Sequence, residues 1–186
     1  MTLPGRQMAP THRFVTFDRA DVERSIPARF EQQVRLYPER VAVKMRDHAL
    51  TYAALNRTAN RIARAILTER GQGEEAIALV LEPDSHIVPA ILGVLKAGKI
   101  YVSIDPSLPA ARSLSLLDDA QVGLVVTSDA HVASARALVQ QGRTLLNVDA
   151  LDPDLSAENL ALALAPDTLA SIYYAASSTS GARTGR

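Results

Sequence analysis

From Ser25 onward, amphipathic helical stretches alternate with short, continuous apolar runs. Ser25 can cap a helix in which Ile26, Phe30, Val34 and Tyr37 recur on one face and which Pro38 stops. Val41–Met45 is a short β-prone run, and Leu50-Thr51-Tyr52 leads into a second helix. That helix carries Leu55, Ala59, Ile62, Ala63 and Ile66 on one face and has Gly71 beyond its end. Ile77–Leu81, Ile100–Ile104, Gly123–Thr127, Thr144–Val148 and Leu169–Tyr174 read as strands. Between them lie three helical patterns. Ile87, Ile91, Val94 and Leu95 follow an Asp84-Ser85 capping region and end at Gly98. A second pattern spans Arg112–Leu117. In the third, Val132, Ala135 and Val139 follow a Ser128 cap and stop at Gly142.

Wholly apolar strands spaced by helices predict an α/β fold: a doubly wound, mainly parallel sheet with helices on both faces. In such sheets ligands sit beyond the carboxyl ends of the strands, which directs attention to the loops after Leu81, Ile104, Thr127 and Tyr174. Residues 1–24 are polar, contain Pro4, Gly5 and Pro10, and read as a linker or arm. Residues 25–174 form the α/β unit and 175–186 a tail.

Composition narrows the class without naming the chemistry. The 186 residues, 47% hydrophobic and 22% charged, suit one globular domain. Twenty basic residues balance twenty acidic ones, so no overall field points to nucleic acid or a membrane. The absence of cysteine removes disulfides, thiolate zinc sites and cysteine nucleophiles. With no apolar run long enough to span a bilayer and no signal-like N-terminus, the expected location is the cytoplasm.

Most local motifs read as structure. Gly71-Gln72-Gly73 lacks the third glycine of a dinucleotide fingerprint and follows a helix, so it is a helix stop. The histidines His12, His48, His86 and His131 lack partners at helical spacing and predict no metal site. Arg57, Arg61 and Arg64 form a basic stripe without aromatic interleaving, read as a solvated face. Asn56-Arg57-Thr58 matches a glycosylation acceptor but lies inside a predicted helix. Asp118 and Asp119 are helix neighbours that diverge by about 100°, which argues against a catalytic dyad.

The tail differs in chemistry. Residues 175–186 are small and hydroxyl-bearing with two arginines, and they follow an apolar strand directly. Small side chains let backbone N–H groups turn toward an anion, and hydroxyls and arginine add donors and charge. Taken alone, a low-complexity chain end is the preferred reading and an anion cradle its rival.

Two longer motifs carry a resemblance. Leu50-Thr51-Tyr52-Ala53-Ala54-Leu55-Asn56 resembles the first core motif of adenylate-forming enzymes, L-T-Y-x-E-L-N, and Leu95–Pro106 resembles the second, L-K-A-G-x-A-Y-V-P-L-D-P. Phe17-Asp18, Phe30–Val34 with Pro38, and Pro109 with Arg112 ahead of Leu124–Thr127 are similar as well. The chain thus looks like the N-terminal part of an AMP-dependent ligase domain. It is closest to amino-acid adenylation domains of nonribosomal peptide synthetases, over about Phe14 to Tyr174.

The resemblance implies ATP-dependent joining of a carboxylate to AMP with release of pyrophosphate, Mg²⁺ on the phosphates, and transfer of the acyl group to the phosphopantetheine thiol of a carrier protein. It also implies a phosphate loop, Y-T-S-G-S/T-T-G-x-P-K-G, after the Leu169–Tyr174 strand. Aligned without gaps, Ser178 and Thr179 keep its hydroxyls, while Ser177 and Ser180 replace its glycines. Aligned instead on Thr179-Ser180-Gly181, Thr184-Gly185-Arg186 also fits. The expected phosphate-binding residues are therefore Ser178, Thr179, Ser180, Gly181, Thr184 and Gly185, in a degenerate or incomplete loop; no catalytic or metal-binding residue is assigned.

The family's acyl pocket, adenine-stacking aromatic, ribose-binding aspartate and C-terminal lysine domain are absent from these 186 residues. The expected protein is a truncated adenylation domain, inactive alone and doubtful as an ATP binder by itself. Its partners would be the remainder of the domain or synthetase modules, and an exposed apolar face could support self-association. The rivals are a non-catalytic docking or regulatory module and a nucleotide binder without chemistry.

Overall fold

The computed structural model describes residues 18–45, 48–174 and the backbone of Thr184 and Gly185. Its first element is a single helical turn, α1 (Arg19–Val22), within the stretch read as an arm. Helix α2 (Ile26–Leu36) begins where Ser25 accepts a hydrogen bond from Ala28 N at 3.4 Å, and it carries Pro27 in its first turn, where a missing N–H costs nothing. The hairpin of β1 (Val41–Met45) and β2 (His48–Thr51) is a separate antiparallel pair. It leads into α3 (Tyr52–Arg70), capped by Thr51 Oγ1 and closed at Gly71, whose φ of 64° suits a residue without Cβ.

The main sheet is built from β3 (Ala76–Val80), β4 (Ile100–Ile104), β5 (Leu124–Thr127), β6 (Thr144–Asn147), β7 (Ser171–Tyr174) and β8 (Thr184–Gly185). Their order is β6-β5-β3-β4-β7-β8. The first five in this row are parallel, as wholly apolar runs between helices predict; β8 is antiparallel to β7. Helices α4 (Ile87–Lys96), α5 (Ala110–Asp119) and α6 (Val132–Arg136) complete the layer.

Side-chain alternation along β3 shows why the sheet needs cover on both faces. Ile77 and Leu79 pack with Ile62, Ile66, Ala90 and Val94 of α3 and α4. Ala76, Ala78 and Val80 pack with Leu116, Leu117, Ala135 and Leu138 on the α5–α6 side. A third cluster, Leu55, Ala59 and Leu92 with Phe30, Val43 and Leu50, seats the hairpin and α2 on the outer side of α3 and α4.

Two boundaries differ from the periodic reading. The chain enters α6 through a 3-10 turn at Asp129–His131, and the Ser128 hydroxyl caps nothing. The helix then ends at Arg136 rather than reaching Val139, because Leu138 N and Val139 N bond to Ala135 O and Arg136 O in a tightened last turn. Leu138 thereby takes the buried position and Val139 stays half-buried.

The stretch between β6 and β7 has a 3-10 turn at Val148–Ala150 and no other helix or strand, and it is tied down by α3. Asn60 Nδ2 donates to Ala157 O at 2.7 Å, Asn56 Nδ2 to Asn159 Oδ1 at 2.8 Å, and Arg64 Nε to Ser156 O at 3.0 Å. The basic stripe is thus partly engaged: Arg61 and Arg64 hold backbone carbonyls, and Arg57 is exposed. Asn56, the residue of the glycosylation tripeptide, is buried.

Candidate functional site

After β3 the chain turns to α4 on one face of the sheet, and after β4 to α5 on the other. This reversal opens a crevice at the carboxyl ends of the two strands, the usual ligand position in open α/β sheets. The crevice contains a cavity of about 190 Å³ lined by Val80, Ile104, Asp105, Pro106, Leu108 and Ser113, among others. Asp105 Oδ1 accepts hydrogen bonds from Ser107 N at 2.8 Å and Ser107 Oγ at 2.7 Å; the hydroxyl bond above all holds its carboxyl below the usual range.

Beside β4, strand β7 delivers the chain to the same edge of the sheet. Tyr174 donates from its hydroxyl to Asp119 Oδ2 at 2.7 Å and to Leu116 O at 3.3 Å, which locks the end of β7 onto α5. Burial, followed by the bond to the Asp119 carboxylate, pushes the Tyr174 phenol up to about 12. Thr184 and Gly185 return antiparallel to Tyr174 and Tyr173, so β7 and β8 form a hairpin whose connection leaves from the carboxyl edge. Of the expected phosphate-binding residues, Ser178, Thr179, Ser180 and Gly181 lie outside the described residues; Thr184 and Gly185 are placed, through their backbone, in β8. Asp118 and Asp119 have separate partners, Arg143 and Tyr174, as helix neighbours with divergent side chains must.

Three further groupings escaped local reading. Lys96 and Lys99, both 2% exposed, pair with Glu31 and Glu75. Burial lowers the Lys96 ammonium against the opposing pull of Glu31, while Glu75, pushed up by burial, is held low by bonds from Arg70 and Lys99. His86 bridges Asp84 and Asp149 at the carboxyl ends of β3 and β6. The only local hint of this was the Asp84-x-His86 spacing; its other half lies 63 residues away.

The third grouping is an apolar cleft of about 780 Å³ among α1, α2, α3 and α4 and the start of β7. It includes Val22, Ile26, Phe30, Leu55, Val88 and Tyr101. Tyr101 and Tyr173 meet at its side with hydroxyl oxygens 2.7 Å apart. Among the described residues, no group of three or more histidine, aspartate or glutamate side chains is arranged to hold a metal ion. None of the described helices is long and apolar enough to cross a membrane.

Residues 30–182 match the family model described as AMP-binding enzyme. Tyrocidine synthase 3 of Brevibacillus parabrevis is 35% identical over 161 residues, covering 85% of the chain and 2% of that protein. Tyrocidine synthase 1 of the same organism is 34% identical over 84% of the chain and 14% of its own length. The chain therefore spans only a small part of the curated relatives it matches. Among solved structures, the AMPPNP-bound form of the nonribosomal peptide synthetase FmoA3 superposes with a TM-score of 0.76 at 28% identity. It covers 83% of the chain and 16% of that structure. The N-terminal subdomain of Klebsiella oxytoca NpsA shares the fold, with a TM-score of 0.74 at 16% identity, over 87% of the chain and 41% of that structure.

Proposed function

The chain belongs to the AMP-binding enzyme family, in its nonribosomal-peptide-synthetase branch, and from this membership we propose that its sheet is the N-terminal framework of an amino-acid-activating domain. The proposed reaction joins a substrate carboxylate to the α-phosphate of ATP, releases pyrophosphate, and passes the acyl group to a carrier-protein thiol. The observation that carries this reading is the β7–β8 hairpin. A strand of a parallel sheet ends at the carboxyl edge, beside the β3–β4 crevice, and returns with Thr184-Gly185. A phosphate cradle belongs in this position, because backbone N–H groups of a loop with small residues can converge there on an anion.

What supports ATP as the ligand is the placement of this hairpin, with Tyr174 anchoring its first strand through Asp119. Mg²⁺, where it accompanies ATP, would be held mainly by the phosphates and water with one or two carboxylates, so it needs no ready-made protein cage. When bound, ATP would supply the adenylyl group with pyrophosphate as the leaving group; this chain would contribute positioning of the loop and a rigid sheet beneath it.

The 780 Å³ apolar cleft supports a place for the rest of the domain, since the relatives are many times longer than the matched portion. The proposed occupant is that remainder; self-association of isolated chains competes for the same surface. The relatives being synthetases favours activation chemistry over a non-catalytic docking module.

The test has two arms. Coding DNA read past Arg186 is expected to continue, in some frame, into Pro-Lys-Gly and the later adenylation motifs. The 186-residue chain alone is expected to show no amino-acid-dependent ATP–pyrophosphate exchange. Exchange by the isolated chain with any amino acid overturns the second expectation; DNA lacking those motifs in every frame overturns the first.

A further inference from the structure

Independently of the activation chemistry, we propose that His86 is a pH-dependent clasp that holds the β3–α4 loop to the turn after β6 only while its imidazole is doubly protonated. The geometry is specific. His86 Nδ1 lies 3.1 Å from Asp84 Oδ1, and Nε2 lies 3.0 Å from Asp149 Oδ1. A carboxylate only accepts, and a neutral imidazole has one N–H, so both contacts are hydrogen bonds only in the imidazolium. Loss of one proton leaves a ring lone pair facing a carboxylate at about 3 Å, whichever tautomer forms.

Both carboxylates are held in place by other bonds. Asp84 Oδ1 also accepts from His86 N at 2.8 Å, and Asp149 Oδ2 accepts from Asp129 N at 2.8 Å. Asp129 in turn accepts from Asn147 Nδ2 at 2.6 Å, and Asn147 Oδ1 accepts from Asp149 N at 3.0 Å. The acceptors therefore have little freedom to retreat, and the histidine is the part that must move. The clasp closes one side of a cleft of about 310 Å³ whose lining includes His48 of β2, Thr58 and Ile62 of α3, and Pro89 of α4.

Among the described residues, the titratable groups around the ring are Asp84 on its own loop, Asp149 after β6, Asp129 behind Asp149, and His48 across the cleft. No lysine or arginine among the described residues lines this cleft. His131, on the neighbouring turn, has its own partner in Glu82 at 3.7 Å. Burial pulls the His86 imidazole down, but the bonds and charges of Asp84 and Asp149 outweigh it and leave it raised above 6.5. A raised histidine stabilises the fold fully below its unfolded value and loses that contribution as pH rises through the folded value. The clasp is therefore shut in mildly acid solution and released toward alkaline pH.

Proton NMR titration of the 186-residue chain, with the histidines assigned by single His→Gln variants, tests the proposal. His86 is expected to titrate above the ordinary histidine range, with Asp149→Asn and Asp84→Asn each lowering its midpoint. Between pH 6 and pH 9 the unmodified chain should lose roughly 2 °C more in Tm than His86→Gln. Amide exchange at residues 82–86 and 148–150 should accelerate above the midpoint relative to β3. A midpoint at or below the ordinary value, or one that Asp149→Asn leaves unmoved, overturns the proposal. The two Asp→Asn titrations decide it even if His86→Gln fails to fold.

Discussion

Gly93 marks where α4 presses closest on α3. A Cβ built there would lie 2.6 Å from Ile62 Cγ2 and 3.2 Å from Ala59 O, so even one methyl group forces the helices apart. Overpacking of this kind costs about 1–3 kcal/mol, and the better helix propensity of alanine returns about 1 kcal/mol at most. Gly93→Ala is expected to lower the urea midpoint with the slope unchanged, by a net of up to about 2 kcal/mol. Tyr174 tests the anchor of β7 instead. Tyr174→Phe removes the bonds to Asp119 and Leu116 and should cost about 0.5–1 kcal/mol near neutral pH. Because burial and Asp119 raise the phenol to about 12, its contribution is complete below pH 10 and fades as pH rises through 12. The deficit of Tyr174→Phe against the parent chain should therefore be smaller at pH 11 than at pH 9, as read from urea unfolding at both.

Among the elements, the stretch from Leu151 to Ala170 depends on α3 for its position. Asn60 is fully buried and donates to Ala157 O and Asn159 Oδ1. Truncating it to alanine removes these ties and is expected to cost about 1–2 kcal/mol. Amide exchange over 155–160 should rise while β3 and β5 stay protected; a uniform rise would show that the tie is not local. Local pattern could not reveal this arrangement. The apolar face of α3, from Leu55 to Ile66, is visible because its period is local, and Ser25 and Gly71 are visible because caps act within one turn. The partners of Asn60 and Arg64 lie 92 to 99 residues away, so Asn60 gives no local signal and the Arg57, Arg61 and Arg64 stripe reads as a solvated face. Lys96 was likewise legible only as part of a helix end, since its burial depends on Glu31 from α2. His86 belongs to the same class, half of its bridge being supplied by Asp149 beyond β6. The apolar run ending at Tyr174 anticipates β7, whereas no local pattern announces β8, which pairs Thr184 and Gly185 of the stretch read as a tail with Tyr174 and Tyr173.

At the scale of the molecule, the two faces of the sheet are satisfied and one outer flank is not. Ile77, Leu79 and Val80 are at most 1% exposed between their helices, whereas Val22 is 63% and Ile26 54% exposed at the cleft above α4. Leu169, just before β7, and Tyr173 within it are exposed as well. Side chains of this kind gain from any apolar surface that covers them, at about 25 cal/mol per Å² removed from water. Contiguous patches are rarely left open in stable monomers. The isolated chain should therefore bind a hydrophobic dye and show a sedimentation mass that rises with concentration. Val22→Asp combined with Ile26→Asp should reduce both effects. Their cost to stability should be small, within about 0.5 kcal/mol each, because neither side chain is buried. Unchanged dye binding in the double variant would move the sticky surface elsewhere. A dye-negative monomer at high concentration would remove the basis for seating the rest of the domain in this cleft. The same double substitution in a full-length synthetase should instead destabilise the activating domain, because there the cleft would be filled and each aspartate would lose its water.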